Sequence, residues 1–92
     1  MSIPSNIMIS QDVIFKEIDG EAVLFDLQSE RYFGLNEVGT RTWHLLTEIS
    51  DTETILTQLL VEFDVDESIL YQDLANLISE LEKAGLVSSH AE

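Results

Sequence analysis

The sequence has no cysteine and no long apolar run. Without cysteine, the chain has no disulfides, no thiolate zinc site and no cysteine nucleophile, which fits a reducing compartment. No segment approaches the roughly 20 apolar residues that span a bilayer. The start, MSIPSNIMIS, lacks the basic and apolar regions of a secretory signal. We therefore expect a soluble, cytoplasmic protein without a membrane partner.

Basic residues are also scarce. The chain has only four basic residues and 18 acidic ones, which gives a net charge of −14. Nucleic acids and anionic membranes are polyanions, and proteins bind them with Lys and Arg side chains that displace counterions. This composition argues against nucleic acid as a partner and favours a neutral or basic one. The alternative is that the acidity only maintains solubility.

The residues that are present suit one small domain. A chain of 92 residues leaves no room for a second core, and a hydrophobic content of 45% suffices for a modest single one. Residues 1–11 show no periodicity, so we predict a flexible N-terminal segment there.

Short runs rich in Val, Ile and Phe predict three strands. Residues 12–18 and 21–27 flank Asp19-Gly20, the favoured pair for a two-residue type I′ hairpin turn. A short connection then leads to residues 31–35, which can form a third antiparallel strand. The sequence therefore predicts a three-stranded antiparallel sheet.

Capping residues followed by apolar stripes predict three helices. Asn36 is a good N-cap for a first helix over about 37–49. Ser50 and Glu53 form a capping-box pattern before the second helix. Asp66 can cap the third helix. Each cap precedes apolar residues at helical spacing.

The third helix ends at a local stop signal. Gly85 suits the left-handed position after a helix, and Leu86 suits the accompanying hydrophobic contact. Residues 86–88 can add a short strand. The order β-β-β-α-α-α is an α+β fold. The close spacing of the last two helices beside a hairpin predicts a winged helix-turn-helix.

A winged helix is typical of DNA-binding proteins, but this chain lacks the charges for that function. The third helix would be the recognition helix, and only Lys83 opposes its acidic residues, which are Asp66, Glu67, Asp73, Glu80 and Glu82. Phosphates would be repelled along its whole length. We therefore do not expect DNA binding.

No catalytic or metal site is apparent in the sequence. The acidic run at 64–68 has Ile69 and Ala75 where a calcium loop needs Gly and Glu. His44 and His90 have no companions at ligand spacing and no nearby nucleophile. We expect no metal, no cofactor and no enzyme activity, and we expect His44 at the surface.

The aromatic residues need a separate explanation. Trp43 and Tyr71 are expected in or near the core, as aromatic residues usually are. Neighbouring strand residues point to opposite faces, so Tyr32 points away from the core if Phe33 packs into it. A short edge strand can accept an extended peptide by β-augmentation, or it can simply be kept short to avoid aggregation. The residues alone leave both readings open.

One ordered set of residues resembles a known family. The set is Tyr32-Phe33-Gly34-Leu35-Asn36 with Gly39, Trp43, Asp73 and the closing Gly85-Leu86. In this order and spacing it resembles the PqqD-like family, the recognition elements of pathways for ribosomally synthesised and post-translationally modified peptides (RiPPs). The resemblance covers about residues 12–88. It implies a winged-helix domain there that binds the leader segment of a precursor peptide.

The resemblance also implies where the leader binds. Family members take it up as a strand added to the third strand, and the third helix forms the other wall of the groove. Carried onto this chain, the contacts are Glu30, Arg31, Tyr32, Phe33 and Gly34 on the strand and Leu70, Asp73, Leu74 and Leu77 on the helix. Asp73 would pair with a basic or hydroxyl-bearing leader residue, and the bare Gly34 would permit close backbone approach.

Within the family, the chain is more similar to free-standing members of lasso-peptide pathways, which deliver a leader to a separate leader peptidase. Members that act in pyrroloquinoline quinone synthesis usually have a Pro-Glu-Gly-like turn near the third strand and Asp-Gly after the first helix. This chain has Ile49-Ser50-Asp51-Thr52 at the latter place. The resemblance therefore implies a non-enzymatic adaptor for such a peptidase. The alternatives are a peptide chaperone for a radical enzyme and a winged-helix interaction or regulatory module.

Overall fold

The computed structural model describes residues 3–89. Its elements are β1 (Ile7–Ile9), β2 (Val13–Ile18), β3 (Glu21–Asp26), β4 (Arg31–Leu35), α1 (Glu37–Leu46), α2 (Thr52–Glu62), α3 (Glu67–Lys83) and β5 (Val87–Ser89). The main sheet has the order β2-β3-β4, and β1 pairs separately with β5. The predicted α+β fold with a three-stranded antiparallel sheet and three helices is confirmed. The strand pair of β1 and β5 is an addition to it.

The turn between β2 and β3 is the predicted hairpin turn. Asp19 and Gly20 both have positive φ, 55° and 84°, as a type I′ turn requires. Asp26 organises the next connection, because its carboxylate accepts hydrogen bonds from the N–H of Gln28 (3.1 Å) and the hydroxyl of Ser29 (2.9 Å). These local contacts lead the chain into β4, which pairs antiparallel with β3.

Helix α1 begins as predicted but ends earlier. The side chain of Asn36 accepts a hydrogen bond from the N–H of Gly39 at 2.8 Å, which confirms Asn36 as the N-cap. The helix ends at Leu46, short of the predicted residue 49. The reason is that the N–H of Glu48 bonds to the carbonyl of Leu45, three residues back (3.0 Å), which tightens the last turn.

The N-cap of α2 is Asp51 rather than Ser50. The carboxylate of Asp51 accepts the N–H of Thr54 at 3.1 Å. Ser50 is instead held by the N-terminal segment, because its carbonyl accepts the N–H of Ile7 (3.0 Å). The predicted capping box of Ser50 and Glu53 is therefore wrong, and a contact from a distant part of the chain explains the difference.

Both ends of α3 agree with the sequence signals. The side chain of Asp66 accepts the N–H of Ser68 at 2.8 Å, which confirms the cap. Gly85 has a φ of 78°. The N–H of Leu86 donates to the carbonyl of Leu81 (2.9 Å), and the Leu86 side chain is buried. This closure of the helix turns the chain into β5.

Strand β1 lies in the segment for which the sequence predicts flexibility. It pairs with β5, and its Ile7 is 1% exposed. Just before β1, the hydroxyl of Thr52 donates to the carbonyl of Pro4 (2.6 Å), and the N–H of Thr52 donates to that of Ser5 (3.0 Å). Ile7–Ile9 therefore form a strand that the sequence analysis did not predict. A strand of three residues is too short to show a periodicity.

The core lies between the inner face of the main sheet and the helices. Leu24 of β3 and Leu59 of α2 are completely buried. Trp43 is buried with them, and Tyr71 is half-buried, with its hydroxyl oxygen accepting the N–H of Ile3 (3.2 Å). The predicted core position is confirmed for Trp43, whereas Tyr71 does not belong to the core cluster.

An ion pair joins α1 to α2. The guanidinium of Arg41 contacts the carboxylate of Glu62 at 2.7 and 2.8 Å, and this bond lowers the pKa of Glu62 from 4.5 to about 2. Because the pKa is lower in the folded state, the pair stabilises the fold above about pH 4.5, and this contribution is lost as the pH falls towards 2. Both side chains are partly exposed to solvent, so the contribution is about 1 kcal/mol or less.

We expect Glu62→Gln to remove this acid-sensitive contribution. Its free energy of unfolding should be lower than that of the wild type by up to about 1 kcal/mol near neutral pH, and the difference should vanish as the pH falls through the folded-state pKa of about 2. Urea unfolding across the acid range measures the difference. Glu21→Gln is the control, since Glu21 is exposed and forms no ion pair within residues 3–89. A Glu62→Gln deficit that persists at low pH would contradict the assignment.

Candidate functional site

The backbone register of the main sheet shows which groups of β4 are open. The N–H of Leu27 bonds to the carbonyl of Asp12 (2.8 Å), so this pair is a hydrogen-bonded position between the first two strands of the sheet. Successive residues of an antiparallel strand direct their backbone hydrogen bonds to opposite sides, so they bond alternately to the two neighbouring strands. Every second residue of β3, from Ala22 to Asp26, therefore bonds to β4.

The backbone N–H and C=O groups of β4 that have no partner strand among the described residues are those of Tyr32 and Gly34. The β4 partners of the alternate β3 residues are Arg31, Phe33 and Leu35. The two residues between them direct their N–H and C=O groups away from the sheet. No strand within residues 3–89 pairs with this side of β4. Two donors and two acceptors are thus available to an added strand.

A groove separates this open edge from α3. We call it the β4–α3 groove; its volume is about 410 Å³. Helix α1 contributes Val38 to its lining. Its walls include Phe33 and Gly34 on the strand and Asp73, Leu74, Leu77 and Glu80 on the helix. An extended peptide paired with β4 would lie along these walls.

A second cavity of about 460 Å³ lies beside the groove. Phe33 lines both cavities, and Arg31 and Lys83 line only the second one. Arg31 is the first residue of β4, whereas Lys83 is the last residue of α3. The strand and the helix therefore run in opposite directions along the two cavities.

The two cavities differ in the charge of the side chains that line them. Asp73 and Glu80 lie in the β4–α3 groove, and Arg31 and Lys83 lie in the second cavity. None of the four forms an ion pair within the described part of the chain. Asp26 also lines the second cavity, but its carboxylate is bonded to the connection after β3. A peptide bound along β4 would meet acidic side chains in the groove and basic ones in the second cavity.

The structure brings together most of the residues expected at the site. Phe33, Gly34, Asp73, Leu74 and Leu77 line the β4–α3 groove, and Arg31 and Tyr32 line the second cavity. Leu70 lines neither cavity; it is 3% exposed and packs in the core. Glu30 is exposed in the turn before β4, with a φ of 61°.

The sequence analysis missed two polar residues on the helix wall. Asn76 and Glu80 line the groove together with Asp73. They follow Asp73 by three and seven residues, a spacing that places them on the same helix face. That spacing was the signal that could have identified them.

Tyr32 and Phe33 point to opposite faces, as expected. Phe33 is half-buried and packs against the core. Tyr32 is 74% exposed, and its ring lies against Phe25 with 4.7 Å between centroids. The outward tyrosine therefore belongs to the solvent face of the sheet.

The described residues offer little else for catalysis, metal binding or membrane insertion. Nε2 of His44 lies 2.7 Å from Oε1 of Glu17, and its ring meets the edge of Phe15 at 5.0 Å. His44 is thus partly exposed and paired, while His90 lies outside the described residues. Residues 3–89 contain no cluster of three metal-ligating side chains. In the same range, no helix combines the length and the apolarity needed to cross a bilayer.

Comparison with known proteins identifies relatives. The PqqD family, described as coenzyme PQQ synthesis protein D, matches residues 21–87. The solved structure of TbiB1 in complex with the TbiA(beta) leader peptide is 36% identical, covers 92% of this chain and 99% of that chain, and has a TM-score of 0.83. A lasso peptide synthetase B1 complexed with a leader peptide is 20% identical and covers 90% and 98%, with a TM-score of 0.77. At this lower identity the second structure shows the fold alone.

The family match covers the elements that build the site. No protein of curated function shows significant sequence similarity to the chain. The matched residues 21–87 include β3, β4 and all three helices. The resemblance stated from the sequence is confirmed, and the chain belongs to the PqqD family of RiPP recognition elements.

Proposed function

We propose that this protein is a non-enzymatic adaptor that binds the leader of a ribosomally made precursor peptide. The observation that carries the proposal is the open edge of β4 beside the β4–α3 groove. Tyr32 and Gly34 offer backbone groups that no other strand of the described chain uses. Leu74 and Leu77 lie across the groove. The solved complex of TbiB1, which is 36% identical, with a leader peptide supports this function.

The leader adds to β4 as a further strand. Its backbone bonds to Tyr32 and Gly34 without reading side chains, so this part of the binding tolerates sequence variation. Every second leader side chain enters the β4–α3 groove. There Phe33, Leu74 and Leu77 provide apolar contacts. A few well-placed anchors in this groove decide affinity more than the buried area does.

Charge favours one direction of the leader. Asp73 suits a basic or hydroxyl-bearing residue in the β4–α3 groove, and Arg31 and Lys83 suit an acidic residue in the second cavity. Because Asp73 lies almost three helical turns before Lys83 on α3, this arrangement disfavours the reversed peptide. The net charge of −14 also speeds the encounter with a basic leader at low salt.

The adaptor presents the leader to a separate enzyme. The resemblance to lasso-pathway members makes a leader peptidase our proposed partner. Holding the leader keeps the rest of the precursor at a high effective concentration beside that enzyme. In this proposal α2, α3 and the β2–β3 hairpin are a winged helix-turn-helix that serves peptide binding. The adaptor works in the cytoplasm, and neither metal nor cofactor takes part.

A second candidate function is that of a peptide chaperone for a radical enzyme. The description of the matching family as a coenzyme PQQ synthesis protein favours it. It would use the same groove and differ only in the enzyme that receives the leader. Leader cleavage that depends on the adaptor, measured with the purified peptidase, separates the two. A DNA-binding regulatory module is disfavoured by the acidic residues of α3.

We expect leader binding to slow amide hydrogen exchange at Tyr32 and Gly34. The N–H groups of these residues face the open edge, and an added strand would protect them, by roughly tenfold or more. The measurement is NMR-detected exchange of the labelled protein, with and without a peptide of the leader encoded beside it. Arg31 and Phe33 are internal controls, since their N–H groups already bond to β3.

The pattern of protection separates the possible outcomes. Slower exchange at alternate residues of β4 supports strand addition. Equal slowing along the whole strand would contradict it, because it indicates general stabilisation of the sheet. A protein whose resonances do not respond to the leader at any concentration would contradict leader binding itself.

A further inference from the structure

Two of the four basic side chains of this protein lie at the second cavity. Arg31 lines it from the start of β4, and Lys83 lines it from the end of α3. Neither charged group has a hydrogen-bond or ion-pair partner within residues 3–89, whereas Arg41 is paired with Glu62. Like charges repel each other, so two cations that converge without an internal partner in a chain of net charge −14 indicate a negatively charged ligand.

The one acidic side chain that lines the second cavity is already engaged. Asp26 lies opposite Arg31 in the register of β3 and β4 and is only 8% exposed. One of its carboxylate oxygens accepts the N–H of Gln28 at 3.1 Å, and the other accepts the hydroxyl of Ser29 at 2.9 Å. This carboxylate holds the turn before β4, and the Arg31 side chain stays exposed to solvent. The guanidinium is therefore open to a carboxylate that a ligand brings.

The geometry of an added strand places one leader side chain at this cavity. If Tyr32 and Gly34 bond to the leader, the residues of an antiparallel leader opposite Arg31 and Phe33 form the closer pairs, with Cα atoms about 4.5 Å apart. Arg31 and Phe33 are two residues apart on β4, so they point to the same face, and so do the leader side chains opposite them. The first of these leader residues contacts Phe33, and the second lies beside Arg31.

We propose that the second cavity is a carboxylate subsite, which selects leaders that carry Asp or Glu two residues after the apolar anchor at Phe33. The inference rests on the proposed function and specifies the leader sequence that the site accepts. Arg31 is the cross-strand partner of the leader carboxylate, and Lys83 faces it from α3. The acidic residue comes after the anchor because the leader runs antiparallel to β4, as β3 does, and antiparallel pairs are the commoner kind.

The subsite acts mainly by rejecting the wrong charge. Arg31 and Lys83 are both exposed, and an exposed ion pair contributes little to affinity. A leader with Lys at the same position, however, meets two cations instead of gaining two attractions. Such repulsion discriminates between partners more strongly than the attraction alone does. The selectivity weakens as salt is added, since the charges are screened.

The test exchanges the charges of the adaptor and the leader. A labelled peptide of the leader encoded beside the protein is compared with a series in which Lys replaces each of its residues in turn, and fluorescence polarisation gives each Kd. Wild-type protein should bind the peptide with Lys in place of the acidic residue roughly tenfold more weakly than the native leader. Arg31→Glu should weaken native binding roughly three- to tenfold and should prefer that Lys peptide to the native leader. A folding defect lowers both affinities and cannot reverse this preference.

Lys16→Glu is the matched control for Arg31→Glu. Lys16 is exposed on β2, lines neither the β4–α3 groove nor the second cavity, and forms no ion pair within residues 3–89. The substitution makes the same change in net charge, so it reports the long-range part of the electrostatic effect. It should alter each Kd by less than about twofold and leave the native leader preferred.

Lys83→Gln tests the second cation independently. Lys83 is the last residue of α3 and is exposed, so glutamine is accommodated there. We expect native binding to weaken roughly two- to threefold, with a smaller difference between the native leader and the Lys peptide. An unchanged difference would show that Lys83 takes no part, and the subsite as proposed would be wrong.

Several outcomes contradict the inference while leaving leader binding intact. One is an equal effect of Arg31→Glu and Lys16→Glu on every peptide of the series. Another is a native leader without an acidic residue two positions after the anchor, or a reversed preference at a position before the anchor. If the leader protects Tyr32 and Gly34 from exchange but the charge exchange fails, only the inference is wrong. If the wild type binds no leader, the proposed function is wrong, and the inference falls with it.

Discussion

Replacing Gly34 with proline is expected to lower leader affinity roughly 10- to 100-fold. The N–H of Gly34 faces the open edge of β4, and proline removes it. A leader carbonyl that loses this donor is left buried without a partner, which costs about 1–3 kcal/mol. The proline ring also occupies the path of the added strand. Titration of a labelled leader, followed by fluorescence polarisation, measures the loss.

Gly34→Ala is the matched control for this variant. A Cβ atom built at Gly34 meets nothing within 4 Å, so alanine fits, and it keeps the N–H donor. Its leader affinity should stay within about threefold of the wild type. Proline is tolerated on edge strands, and an NMR spectrum of Gly34→Pro with the remaining resonances in place verifies the fold. A folded proline variant with wild-type affinity would contradict strand addition at β4.

Ile7→Ala is expected to destabilise the fold by about 2–4 kcal/mol. Ile7 is 1% exposed and belongs to the same core as Leu24 and Leu59. Truncation removes buried apolar surface and leaves a cavity under β1. For a domain of this size, such a loss lowers Tm by roughly 10–25 °C. Thermal unfolding followed by circular dichroism gives the Tm of the variant and of the wild type.

The adjacent residue provides the control for Ile7→Ala. Met8 is in the same strand, but its side chain is 50% exposed. Met8→Ala should cost less than about 1 kcal/mol, as most surface substitutions do. Equal losses of stability for the two variants would contradict the burial of β1. The comparison therefore tests whether the N-terminal strand is an integral part of the core.

Elements with strong local signals could be predicted from the sequence. The β2–β3 turn follows from Asp19-Gly20, the start of α1 from Asn36 and the end of α3 from Gly85. Each depends on hydrogen bonds or backbone angles within a few residues, and no distant contact competes with them. The opposite orientations of Tyr32 and Phe33 follow in the same way from the alternation of a strand.

The wrong predictions occur where a distant segment competes with a local signal. Ser50 has the sequence context of a helix cap, but its carbonyl is bonded to Ile7, and Asp51 caps α2 instead. A hydrophobic stripe also does not show which of its members reaches a groove. Leu70 and Leu77 belong to the same stripe of α3, yet Leu70 is in the core and Leu77 lines the β4–α3 groove.

The sequence by itself determined the order of the main-sheet strands and the helices, the acidic character of the chain and its membership in the PqqD family. These properties depend on composition, on local hydrogen bonding and on residues in a recognisable order. Only the tertiary structure decided that the open edge of β4 lies across a groove from α3, that acidic side chains line this groove and basic ones the second cavity, and that Ile14, Ile18 and Tyr32 stay exposed. Phe33 and Leu77 are far apart in the chain, and packing of the whole core, rather than any local preference, brings them to one groove.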